Sequence, residues 1–329
     1  MIFSARTCPS ISALCLMTAL GAGDFTLALA CKGAPPGGPI EISVEPAAIS
    51  QGGLALVTVL TREPSAVTEA RFLGRCIHLA PAPSGPGALA IIGAGLDCPP
   101  GQHLLTVHWM GPEGPEIAVC TVEVRQRHFP EEHLTVPRKM VEFPPGVLRR
   151  IREEQRAVAL ACSSESQPRR WETPFVWPVE GAVLSPFGLR RYFNGQPRNP
   201  HSGVDLRAGH GTKIRAANHG RVVLVRDCYL SGMTVIIDHG YGLHTLYAHL
   251  SACIIKEEET VSRGQVIGMA GSTGRATGPH LHWGVSLQGT RLDPEKMMDL
   301  LGPGGIDERA ADGPGPALPS GRSVPGAGV

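Results

Sequence analysis

Aromatic residues are scarce in this chain: Phe, Tyr and Trp make up 5% of its 329 residues. Charge of one sign is lacking as well. The formal net charge of +1 excludes a dominant electrostatic attraction to nucleic acid. Beyond the N-terminus, no stretch approaches the ~18 consecutive apolar residues that a membrane-crossing helix needs. Glycine (41) and proline (30) are abundant, and with so few aromatics they favour short strands and many turns over long helices. Hydrophobic residues at 42% suffice for a proper core, and the length suits two ordinary domains with linkers.

Residues 1–30 read as an export signal. Arg6 supplies a small positive segment, residues 11–23 an apolar stretch of signal length, and Ala28-Leu29-Ala30 a small-residue cleavage pattern, although Asp24 interrupts the series. The expected location is therefore the periplasm or cell envelope. Cys31 follows the cleavage point in a sequence similar to a bacterial lipoprotein box, with Ala28 in place of the usual first residue. Two readings stand, a membrane tether through lipidated Cys31 and plain cleavage. Cys8 and Cys15 would leave with the signal. With Cys31 lipidated, Cys76, Cys98, Cys120, Cys162, Cys228 and Cys253 remain. An even remainder in an oxidising compartment suits disulfides, and buried free thiols are the alternative.

Residues 31–39 form a Pro/Gly tether. From 40 to 130, short apolar runs recur between Gly- and Pro-rich turns, a pattern that predicts a small β-sandwich-like accessory domain. Residues 131–170 read as a linker containing a helix over 145–162. Pro145 suits its first turn, Leu148, Ile151, Val158 and Cys162 share a stripe, and Arg149, Arg150, Glu153 and Glu154 are expected to face solvent. Residues 171–301 form a second strand-rich domain, and 302–329 have almost nothing to bury and read as a disordered tail. The fold class expected is mainly β.

Histidines carry the chemistry. His201 and Asp205 lie four apart, and a strand would bring both to one side because its side chains alternate. His280 and His282 flank Leu281 at the start of another strand, so they share a face. An imidazole and a carboxylate so placed can bind one Zn²⁺, and two imidazoles side by side on one strand face are uncommon without a ligand or a reaction to serve. No glutamate sits between candidate ligands as it does in H-E-x-x-H. His249, in Tyr247-Ala248-His249-Leu250, is bland alone.

Taken together, His201-x-x-x-Asp205, Tyr247-Ala248-His249-Leu250 and Gly278-Pro279-His280-Leu281-His282 resemble the lysostaphin-like zinc metallo-endopeptidases in order and spacing. Ser185-Pro186-Phe187-Gly188, Gly264-Gln265-Val266-Ile267-Gly268 and Gly271-Ser272-Thr273-Gly274 fit the same family, over about residues 178–295. The resemblance implies an antiparallel β-sheet zinc peptidase domain with a groove for an extended peptide. It implies Zn²⁺ held by His201, Asp205 and His282, and His249 and His280 as the non-ligand active-site histidines. The implied substrate is the peptide part of bacterial peptidoglycan. The alternative function is a catalytically silent wall-binding module that activates another wall hydrolase. Lys256-Glu257-Glu258-Glu259 departs from the family, which usually has a Gly-containing turn there. Arg191, Asn194 and His244 are further candidates for the groove, and His239 reads as a turn or core residue.

Overall fold

The computed structural model describes residues 40–61, 67–82, 87–111, 113–137 and 141–305. The export signal, Cys31, the 31–39 tether and all but the start of the 302–329 tail lie outside the described residues. The described chain is mainly β, with two helices, and neither is long and apolar enough to cross a membrane.

The N-terminal part is a sandwich of two sheets. Ile40–Glu45, Leu54–Thr61, Gly87–Gly93 and Ala80–Pro81 form one, in that spatial order. The other runs Ala48–Ser50, Gly114–Arg125, Gly101–Gly111, Val67–Phe72, Arg75–Ile77. Strand alternation fills the space between them. Leu105 and Val107 meet Cys120, Val122 and Val124 from one sheet, and Ala55, Val57, Val59, Ala90 and Ile92 from the other. Leu104 and Ile117, on the opposite phase, are exposed.

The central strands of the four-stranded sheet, Leu54–Thr61 and Gly87–Gly93, are buried on both faces. Leu54, Leu56, Leu89 and Ile91, out of phase with the sandwich core, belong to the core of the C-terminal part, together with Leu287, Leu292, Met297 and Leu300. Each such side chain contributes about 2 kcal/mol by leaving water. This explains why the Leu54–Thr61 and Gly87–Gly93 strands read as continuous apolar runs and do not alternate. Arg127 and the fully buried Asp293 add an ion pair of 2.6 Å across the same junction.

The C-terminal part is a ten-stranded sheet whose central order is Val183–Ser185, Val204–Arg207, His280–Leu287, Leu243–Cys253, Gly232–Asp238, Gly220–Cys228, Thr260–Val261. The helix Pro145–Cys162 starts at a proline, as the sequence predicts, and packs its Cys162 end on Leu224, Ile236, Leu246 and Ala248. Its expected solvent face needs one correction. Glu154 is buried, because its carboxylate accepts from Arg150 Nε at 2.6 Å and from the Tyr229 backbone N–H at 2.7 Å. The 131–170 segment carries a strand as well as its helix. Glu131–Leu134 pairs in parallel with Arg190–Phe193, which continues antiparallel to Gln196–Pro197.

The cysteines do not form the paired set that their even number suggested. Cys98, Cys162, Cys228 and Cys253 are free thiols, and Cys120 is disulfide-bonded. Cys162 and Cys228 are buried, where desolvation raises their pKa and keeps the thiols protonated.

Candidate active site

Antiparallel pairing sets the site. Asp205 lies directly opposite His282, and Arg207 opposite His280. Directly opposed side chains rise on one face about 5 Å apart. His280 and His282 therefore share a face, as the alternation predicts, while Leu281 and Trp283 are buried on the other.

His201 arrives differently from the expectation. The strand begins only at Val204, so His201 is in the loop before it. Backbone bonds to Leu189 and Gly188 fix that loop, and the ring's Nδ1–H donates to the Pro186 carbonyl at 2.9 Å. Gly203 makes the turn into the strand possible, since a Cβ there would run into the Trp283 carbonyl.

Three donor atoms converge. His201 Nε2, Asp205 Oδ1 and His282 Nδ1 lie 3.0 Å from one another. Among the described residues they form the one group of this kind placed to hold a metal ion. Burial works to raise the Asp205 pKa, but the hydrogen bonds and charge of His201 and His282 outweigh it and hold the carboxylate below its usual range. Burial lowers His282 to about 4, so its ring is neutral and its lone pair available.

His249 and His280 stand beside this group. Their rings are 4.8 Å apart, and His249 is 6.1 Å from the His282 ring. His280 Nδ1–H donates to the Gly278 carbonyl at 2.9 Å, and its Nε2 lies 3.7 Å from Asp205 Oδ1. His249 Nδ1–H donates to the Thr273 carbonyl at 2.8 Å. Each ring thus keeps Nε2 as an unencumbered acceptor. Burial lowers the pKa of His249, which favours its neutral form. His249 has φ +60°, at an irregularity where the Leu243–Cys253 strand changes register with both neighbours. Its N–H leaves the ladder to bond Ser231, and the side chain is turned out of strict alternation.

The other candidates have structural tasks. Arg191 is held by Glu132 at 2.9 Å and Ser185 at 2.7 Å. Asn194 clamps the Val136 backbone through both side-chain atoms. His244 is buried against Ser164 and Asp238, and His239 against the His219 carbonyl and Thr245. The turn at Lys256-Glu257-Glu258-Glu259 is a surface turn, and Glu258 occupies a left-handed conformation (φ +73°) where a glycine would sit without strain. Sequence reasoning missed the carbonyls of Pro186, Thr273 and Gly278 that orient three rings. Their signal is the Gly- and Pro-rich turns in which all three lie.

Residues 199–294 match the model of Peptidase family M23. The putative peptidase M23 from Pseudomonas aeruginosa is 30% identical to this chain, covers 76% of it and is itself covered to 94%, with a TM-score of 0.59. The chain belongs to peptidase family M23, the lysostaphin-like family. Two curated relatives are the peptidoglycan DD-endopeptidase ShyA of Vibrio cholerae, 41% identical over 36% of this chain and 29% of that protein, and the DD-carboxypeptidase/endopeptidase Mpg of Neisseria meningitidis, 41% identical over 34% and 26%. The chain spans less than a third of the length of these curated relatives.

Proposed function

We propose that this protein is a zinc-dependent endopeptidase that hydrolyses peptide cross-links of bacterial peptidoglycan in the cell envelope. The observation that carries this reading is the convergence of His201, Asp205 and His282 within 3.0 Å beside the imidazoles of His249 and His280. Tetrahedral zinc with bonds of ~2.0–2.1 Å keeps its ligand atoms about 3.3 Å apart, so two nitrogens and one oxygen at this spacing fit the ion and leave a fourth position for water or substrate. The names of the relatives supply the substrate class.

Zinc bound there would supply Lewis-acid polarisation of the scissile carbonyl and lower the pKa of a water toward neutrality. The chain's own residues do the rest. The Pro186 carbonyl fixes the His201 tautomer, so that Nε2 faces the site. His249 and His280, each anchored through Nδ1–H, present Nε2 toward the reacting group. One of them takes the proton released as the attacking oxygen adds. The other, protonated, donates to the oxygen that gains negative charge, or to the leaving nitrogen. In this reading residues 40–130 are an accessory domain, 131–170 a linker and 171–301 the catalytic domain.

The test is digestion of purified cross-linked peptidoglycan by the zinc-loaded chain, read by mass spectrometry, beside a chelated sample and His280→Ala. Cross-linked muropeptides should fall to monomers only with the intact zinc protein. No loss of cross-links with that protein would sink the proposal.

A further inference from the structure

His249 owes its place to a loop that lies against two strands. Residues 271–275 run from Gly271, whose carbonyl accepts from the His280 N–H at 3.1 Å, to Arg275, whose N–H donates to the Leu230 carbonyl at 2.8 Å. Thr273 lies between these anchors and bonds through both its main chain and its side chain. Its carbonyl accepts from His249 Nδ1–H at 2.8 Å. Its hydroxyl donates to the Leu250 carbonyl at 2.7 Å and accepts from the Met233 N–H at 3.0 Å. Met233 and Leu250 face each other across the strands Gly232–Asp238 and Leu243–Cys253, where the ladder shifts register. One hydroxyl therefore joins both strands at the irregularity that turns His249 out of line.

The loop comes this close because Gly232 and Gly274 have no side chains. A Cβ on Gly232 would strike the Thr273 hydroxyl, and one on Gly274 would strike the Gly232 nitrogen. Both glycines have positive φ, +63° and +72°, which they adopt without strain. The two bonds of the hydroxyl go to backbone groups of the half-buried Met233 and the buried Leu250, and such groups are costly to leave unpaired. A methyl group in place of the hydroxyl would strip a partner from each. The loop would have to lift to let water reach them. The carbonyl that holds His249 would move with it, since it belongs to the same residue.

We propose that Thr273 is the positioning residue of His249: its hydroxyl pins the loop to both strands, and its carbonyl fixes the imidazole beside His280. The proposal deepens the endopeptidase reading and rests on it for the change in turnover, not for the change in ring position. The pin has something to hold back. Ala248 lies directly opposite His282, so in a regular strand residue 249 would project to the other face of the sheet. With the pin gone, the ladder can relax toward that regular form, and the ring leaves the geometry in which proton transfer is efficient.

The experiment compares wild type, Thr273→Val and Thr273→Ser as zinc-loaded full chains. Zinc content, turnover of a cross-linked stem peptide and the NMR signal of the His249 ring N–H are measured for each, the signal being assigned by its loss in His249→Ala. Thr273→Val should keep its zinc and its KM. Its kcat should fall at least about tenfold, toward the ~100-fold that a misplacement of about 1 Å can cost. Its ring N–H should exchange faster with water. Thr273→Ser keeps the hydroxyl and should restore both kcat and signal. Thr273→Ala is the second hydroxyl-free variant if the valine does not fold. Wild-type kcat or an unchanged ring signal without the hydroxyl, or a serine variant as impaired as the valine one, would overturn the role of Thr273. A wild-type chain that cuts nothing would sink the endopeptidase reading alone, because the ring signal still reads the position of His249.

Discussion

A histidine at φ +60° carries a backbone cost that a regular strand would avoid. At His249 the irregularity in the ladder turns the ring toward His280 and His282, and the Thr273 carbonyl holds it there. The strain belongs to any side chain with a Cβ, and the chemistry belongs only to imidazole. His249→Gly should therefore be more stable than His249→Ala by about 1 kcal/mol in chemical denaturation. Both variants should lose at least about 100-fold in cross-link cleavage while binding zinc as wild type does. Loss of zinc from either would show His249 to be a ligand. Two short spacings and one tetrapeptide, spread over residues 201–282, were enough to single out the five candidate residues, and the structure brings all five side by side. The ring nitrogens they use were not legible. His201 presents Nε2 and His282 Nδ1, a choice made by carbonyls and strand pairings far along the chain.

Among elements, the helix Pro145–Cys162 shows how a pattern can be right in period and wrong in one face. Its start and length follow from Pro145 and the spacing of Ile151, Val158 and Cys162. The same period places Glu154 on the inward stripe, and its charge alone suggested solvent. The carboxylate ties the helix to the hairpin at Tyr229 by accepting from that residue's backbone N–H. Glu154→Ala should cost about 1–3 kcal/mol, since it leaves that donor unpaired. Amide hydrogen exchange should accelerate over residues 145–162 and 227–232, and unchanged exchange there would refute the anchoring role. The pairing of Glu131–Leu134 with Arg190–Phe193 was illegible for another reason. A four-residue strand rich in charge has no apolar alternation to announce it.

At the scale of the molecule, the sandwich and the C-terminal sheet share one wall. Composition and turn spacing made the sandwich legible. The sharing was visible only as apolar runs too continuous for one buried face, at Leu54–Val57 and Ala88–Ile92. The junction is locked by Arg127, whose loss would leave the buried Asp293 carboxylate with only the helix-capping bond from the Glu295 N–H. Arg127→Met should cost about 2–3 kcal/mol, below the figure for a fully buried pair because Arg127 is partly exposed. Thermal unfolding should remain a single transition at lower temperature. Two separated transitions in the wild-type chain would contradict the shared core.

The wall sealed on both faces also sets where the molecule can be divided. A cut at the 130/131 boundary would strand Leu287, Leu292 and Leu300 in water on one fragment and Leu56 and Ile91 on the other. Proteases acting on the native chain should therefore release no intact C-terminal fragment. A transplant of the C-terminal part onto another scaffold would have to carry the four-stranded sheet with it, as part of the module and not as cargo.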